Sequence, residues 1–359
     1  MSIDRRELLK AGFALPAVAA LSSAARADVA FDPQPGAWRS FQIVTRLDIA
    51  DTGDRRQAWI PVPAVNERDW FKSLGSDWTS NGRVGLARDP KYGAEMFHVA
   101  WTDDEKNPFI EVTSKIATRD RATDFTKAGA PVPLSAADHT LYTQGTELPV
   151  DGIVKETSDK IVANANAATD IQKARALYEW IVDNTFRDAK VRGCGIGDIA
   201  AMLKTGNLGG KCADLNALYV GLARAAGLPA RDLYGIRVAP SKFDSLGASS
   251  EVITKAQHCR SEVYLAGFGW VPVDAADVRK VVLEEPPKNL AIDDPRVVAA
   301  RTAPGKAIGL RTILRTRSRS KDQWVRGSRF SCTRKPSAAM PGSIVSMPIL
   351  SNTRSPQRS

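Results

Sequence analysis

The chain reads as an α+β protein, with an N-terminal half of antiparallel strands and a second half that mixes helices with antiparallel strands. Three observations predict this. Between Phe41 and about Thr118, apolar and β-branched residues recur in short stretches parted by clusters of Gly, Asp and Asn, the rhythm of strands and turns. From Ile171 the apolar period becomes helical, through Ala174, Leu177, Tyr178, Ile181 and Val182. Beyond Gly227-Leu-Pro229 strand-like runs return, the last two joined by Ala266-Gly-Phe-Gly269.

In chain order, Asp4-Arg5-Arg6 precedes an apolar run from Ala11 to Leu21, and Ala25-Arg26-Ala27 has the small-x-small form of a signal-peptidase site. The paired arginines make residues 1–27 a cleavable signal of twin-arginine type that would export the rest of the chain, its apolar run being too short to span a bilayer, where ~20 such residues are needed. Phe41–Ile49, Ala58–Val62, Met96–Trp101 and Phe109–Ile116 read as strands of a β domain over 28–126. An Ala-, Pro- and Gly-rich linker falls within 127–150, around Lys127–Ala136. In a second domain over 151–302, Thr169-x-x-Gln172 has the form of a capping box and opens a helix running to Asn184. Cys212–Ala226 follows a glycine-rich stretch and places Leu215, Leu218, Tyr219 and Leu222 on one face, a second helix. Ala230–Val238, His258–Leu265 and Gly269–Val273 read as strands.

The formal net charge of +10 would suit a nucleic-acid binder, but its position argues against one. Eleven basic residues against one acid, Asp322, lie between Arg311 and Ser359, so this tail holds the whole excess. No nucleic-acid partner is expected, and no membrane span in the mature chain. The four cysteines, Cys194, Cys212, Cys259 and Cys332, show no C-x-x-C spacing and are too few for a disulfide framework, and no metal or organic cofactor is indicated. A free thiol in an oxidising compartment is a liability unless buried or used.

Cys212 opens a helix, where unpaired N–H groups and the dipole favour thiolate. His258 and Asp274 each lie eight residues from Ala266, so a tight hairpin sets them within about a residue of opposition. Cysteine, imidazole and carboxylate together make a base-activated nucleophile. Cys259 should face away from His258 by strand alternation, and Glu262 should share the face of His258, where it either meets solvent or an arginine or shifts the pKa of the imidazole. Cys194, in Gly193-Cys-Gly195, is open to pairing or to remaining a free loop thiol.

The segments Gly209-Gly-Lys-Cys-Ala-Asp-Leu-Asn216, His258-Cys-Arg-Ser-Glu-Val-Tyr264 and Gly267-Phe-Gly-Trp-Val-Pro-Val-Asp274 resemble, in this order, the transglutaminase-like cysteine enzymes, specifically their exported bacterial members. That resemblance implies a papain-like core with Cys212 as nucleophile, His258 as base and Asp274 as orienting residue. It implies a protein or peptide substrate, acyl transfer through a thioester and, for many bacterial members, hydrolysis of amide bonds. Amine transfer that crosslinks proteins is the near alternative. A non-catalytic periplasmic binding module on the same fold is the distant one. Where the family often has His-x-Trp, this chain has His258-Cys259-Arg260, so the pocket's shape does not carry over.

From about Ala303 acids almost vanish and no period persists. Codons can be chosen for Pro304–Gly309, Arg329–Pro336 and Met340–Pro356 such that one other frame encodes strings resembling folded protein. A shifted reading frame over 303–359 is therefore expected.

Overall fold

The computed structural model describes residues 36–49, 56–67, 69–121, 123–248 and 250–301, with the backbone of two short strands, Arg315–Thr316 and Leu350–Arg354. The leader and most of the basic tail, on which the export and frameshift expectations rest, lie outside these residues.

Six antiparallel strands form the N-terminal half: β1 (Arg39–Asp48), β2 (Arg56–Pro61), β3 (Phe71–Ser80), β4 (Arg83–Arg88), β5 (Glu95–Trp101) and β6 (Phe109–Thr118). β6 lies between β1 and β3 in one sheet, and β5 between β2 and β4 in another. Ala58, Ile60, Phe97, Val99, Trp101, Ile110 and Val112 close a core between them. The segments read as strands from sequence appear as β1, β2, β5 and β6. β3 and β4 were not anticipated, because most of their side chains are exposed or half-exposed and leave no apolar alternation. β3 also carries a bulge between Ser73 and Ser76, where Gly75 has φ +97°.

In the second half come α1 (Ala136–Thr143), α2 (Gly152–Asn164), α3 (Asp170–Asn184), β7 (Phe186–Arg187), α4 (Ile199–Thr205), β8 (Gly209–Gly210), α5 (Cys212–Ala225), β9 (Ala230–Ile236), β10 (Gln257–Leu265), β11 (Gly269–Val273), α6 (Ala275–Glu284) and α7 (Pro295–Arg301). The capping box of α3 is present, with Thr169 and Gln172 each accepting from the other's backbone N–H. β10 lies between β9 and β11 in an antiparallel sheet. The two tail strands extend the sheets, β12 (Arg315–Thr316) on β9 and β13 (Leu350–Arg354) on β1.

α5 departs from the amphipathic helix expected, since all its residues are buried. It packs against β10, α2, α3 and α6, and is the axis of the core. Three of its residues are strongly polar, and each is occupied. Arg224 donates to the carbonyls of Ala230 and Gln144, while Asp214 and Asn216 build the site described below.

A further cluster joins the two halves, with Ile43, Trp70, Phe71 and Ile116 meeting Leu233, Ile236, Val238 and Ile253. Beside it sits buried charge. Glu262, wholly buried, is paired with Arg121 and with Arg231, 2.7 Å away, and Arg231 also reaches Glu67. Arg121 and Arg260 lie over Trp70, 5.0 and 4.8 Å from its ring centre. Glu262 thus faces arginines, and its charge serves the junction between the halves.

Candidate active site

Cys212 is the first residue of α5, and the end of that helix is fixed by Asp214. One carboxylate oxygen of Asp214 accepts from the N–H of Lys211 at 2.9 Å, and the other from the N–H groups of Ile196 and Gly197, both at 2.8 Å. The loop that carries Cys194 is thereby clamped to the start of α5, and the N–H of Ala213 donates to the carbonyl of Cys194 at 2.8 Å. Glycine is required at the contact. A Cβ on Gly195, which has φ +97°, would lie 1.8 Å from Asp214 Oδ2, and one on Gly210 would lie 2.5 Å from Asp214 Cβ.

His258, near the start of β10, is 4% exposed, and its Nε2 lies 2.6 Å from Asp274 Oδ2. The hairpin reaches this contact by another route than direct opposition. Leu265 faces Gly269 and Ser261 faces Val273, so the ladder continued would set Asp274 against Arg260, two residues past His258. β11 ends at Val273, and Asp274 turns out of the sheet to cap α6, which returns its carboxylate to the imidazole. The other oxygen of Asp274 accepts from the N–H of Asp277 at 3.1 Å and from Asn216 Nδ2 at 3.2 Å. Asn216 also donates to the carbonyl of Cys259 at 2.6 Å, tying α5, β10 and α6 at one point.

A second carboxylate, Asp277, lies 3.6 Å from His258 Nε2 and is ion-paired with the buried Arg237. Burial and Arg237 both disfavour charge on the imidazole, but Asp277 and Asp274 outweigh them and raise His258 to about 9. The Cys212 thiol moves the opposite way. Hydrogen bonds from Cys194 and Cys259, then the hydrogen bond and charge of His258, hold it well below the usual thiol range against the cost of burial. A thiolate facing an imidazolium held by a carboxylate is the electrostatic arrangement of an activated sulfur nucleophile.

The structure therefore brings together the three side chains singled out in the sequence, Cys212, His258 and Asp274. It also brings in groups the sequence reading missed. Cys194, Cys212 and Cys259 form no disulfide and are buried, and their sulfurs all lie within 4.8 Å of one another. Cys259 was expected to stand apart from the site, yet its thiol reaches Cys212. Asn216 follows Cys212 by one helical turn, and Asp277 follows Asp274 at cap spacing, two signals that could have found them. Among the described residues, two groups of side chains have the spacing to hold a metal ion: the three cysteines, and His258 with Asp274 and Asp277. Next to the start of α5 lies a cavity of about 370 Å³ lined by Arg192, Gly195, Ile196, Met202, Asn207 and Asp214.

A family model for the transglutaminase-like superfamily matches residues 155–275. An uncharacterized protein of Haemophilus influenzae is 37% identical over 257 residues, a match that spans 67% of this chain and 69% of that protein. The chain belongs to the transglutaminase-like superfamily. Among solved structures, this transglutaminase-like fold is shared by a candidate cysteine protease from Cytophaga hutchinsonii, with a TM-score of 0.50 and 15% identity, covering 68% of this chain and 78% of that one. The periplasmic domain of TgpA from Pseudomonas aeruginosa also matches, with a TM-score of 0.35 and 14% identity, covering 68% and 88% of the two chains. The transglutaminase-like match spans α5, β10 and β11 and ends one residue past Asp274.

Proposed function

We propose that this transglutaminase-like protein is an exported cysteine-dependent acyl-transfer enzyme that hydrolyses amide bonds in a protein or peptide. Cys212 is the nucleophile, His258 the general base and acid, and Asp274 the group that orients the imidazole. The observation that carries this reading is the convergence on Cys212 of an imidazole whose far nitrogen sits 2.6 Å from a buried carboxylate. Each part has a defined role in the step. The Cys212 thiolate attacks the amide carbonyl, and the oxyanion forms beside the backbone N–H of Cys212 at the positive end of α5. His258 passes its proton to the departing amine, leaving a thioester on Cys212. Neutral His258 then takes a proton from water, whose oxygen attacks the thioester and frees the acid. Export is supported by the leader's paired arginines and Ala25-Arg26-Ala27, and no helix among the described residues is long and apolar enough to cross a membrane.

The test is the rate of iodoacetamide alkylation at Cys212, mapped by peptide mass in reduced, folded protein. Wild type should label fast at neutral pH, His258→Ala at least ten-fold slower, and Asp274→Asn between them. Equal rates in all three would refute the assignment. With a labelled amine such as cadaverine present, hydrolysis predicts no incorporation into the acyl donor, and efficient incorporation would show amine transfer instead.

A further inference from the structure

We propose that Cys194, Cys212 and Cys259 form a trithiolate site for a thiophilic d10 cation of the Zn²⁺ class, and that its occupation masks Cys212. The three thiols come from three separate elements: the loop before α4, the start of α5 and strand β10. They are only 6%, 6% and 2% exposed, and their sulfurs all lie within 4.8 Å of one another. Zn–S bonds of about 2.3 Å set neighbouring thiolates about 3.8–4.0 Å apart, so the cluster needs to contract by less than about 1 Å. A disulfide would require about 2.05 Å between two of them, a much larger movement. The present spacing suits an ion held between three sulfurs better than a covalent bond between two.

The backbone under each ligand is already fixed. Asp214 clamps the loop that follows Cys194, the Cys194 carbonyl accepts from Ala213, and the Cys259 carbonyl accepts from Asn216. The donor set is the three sulfurs, to which water would add the fourth position; His258, which hydrogen-bonds to Cys212, lies outside it. The neighbouring group of His258, Asp274 and Asp277 is the weaker candidate, because Arg237 already supplies its cation. On coordination each neutral thiol gives its proton to water, and no electron is transferred. Binding does not depend on catalysis. Masking rests on the reading of Cys212 as nucleophile.

The full chain, reduced with a phosphine and desalted without oxygen, is titrated with Cd²⁺ and then with Zn²⁺ against a chromophoric chelator. We expect one equivalent bound, an ultraviolet thiolate-to-cadmium charge-transfer band, and protection of all three thiols from alkylation. Cys194→Ser and Cys259→Ser should each remove about a third of the band and weaken binding at least ten-fold, with far-ultraviolet circular dichroism confirming the fold. Should one variant fail to fold, the other decides. No band, affinity unchanged in the folded variants, or loss of two thiols as a disulfide with no ion retained would overturn the site. Alkylation of Cys212 in metal-free protein is read separately. Slow labelling indifferent to His258 would overturn the nucleophile and the masking, while a three-sulfur band would still establish the site.

Discussion

Replacing Glu262 with glutamine tests how the two halves of the molecule are held together. Burial would raise this carboxyl above 4.5, but Arg231, Arg121 and Arg260 outweigh it and lower it to about 2. A fall from 4.5 to about 2 corresponds to roughly 3 kcal/mol of stability at neutral pH. Because the folded value is depressed, that contribution is complete above about 4.5 and is lost as pH falls towards about 2. At pH 3 only about 1 kcal/mol of it remains. Glu262→Gln keeps the shape, removes the charge, takes this counter-ion from Arg121 and Arg260 and leaves Arg231 with Glu67 alone, so it should destabilise by about 3–5 kcal/mol at pH 7. The gap to wild type should shrink by about 2 kcal/mol between pH 7 and pH 3. Urea unfolding of both proteins at the two pH values measures it. A gap below about 1 kcal/mol at pH 7, or one of constant size across the range, would refute the reasoning.

Three further outcomes follow from local geometry. Gly195→Ala should cost about 3 kcal/mol or more, because its Cβ meets the Asp214 carboxylate at a positive φ, and thermal unfolding reads it. Asn216→Ala should cost about 2–3 kcal/mol and also slow alkylation of Cys212, whereas folded Glu262→Gln should label at the wild-type rate; the contrast separates positioning of Asp274 from general destabilisation. We propose that the reading frame shifts near residue 303, and the nucleotide sequence of the gene decides it: codons incompatible with the alternative strings over 304–309, 329–336 and 340–356 would reject the shift.

What was legible in the sequence followed local rules. The α3 capping box, the β10–β11 hairpin and the start of α5 at Cys212 depend on neighbours a few residues apart, and each was readable. Strands β3 and β4 were not, because exposed strands are held by backbone pairing and carry no apolar alternation. The burial of α5 on every side was hidden for the converse reason, since Asp214, Asn216 and Arg224 look like a solvent face until their partners, from residues 144 to 274, are in place. The meeting of three cysteines was invisible for the same cause. Cys194, Cys212 and Cys259 are brought together by tertiary packing, with no metal-ligand spacing along the chain.

Helix α5 acts as the ruler of the site. Within one and a half turns it presents Cys212, then Asp214, which fixes the loop of Cys194, then Asn216, which fixes Asp274 and the strand of Cys259. The polar contacts in that run reach three separate places, the loop of Cys194, strand β10 and the cap of α6, so the separation of thiol, imidazole and carboxylate is set by a single rigid helix. A helix in this role must be buried all round, because any solvent-facing side would leave one of those elements without its anchor. The polar residues that make α5 look amphipathic in sequence are therefore the ones that require it to sit at the centre of the fold.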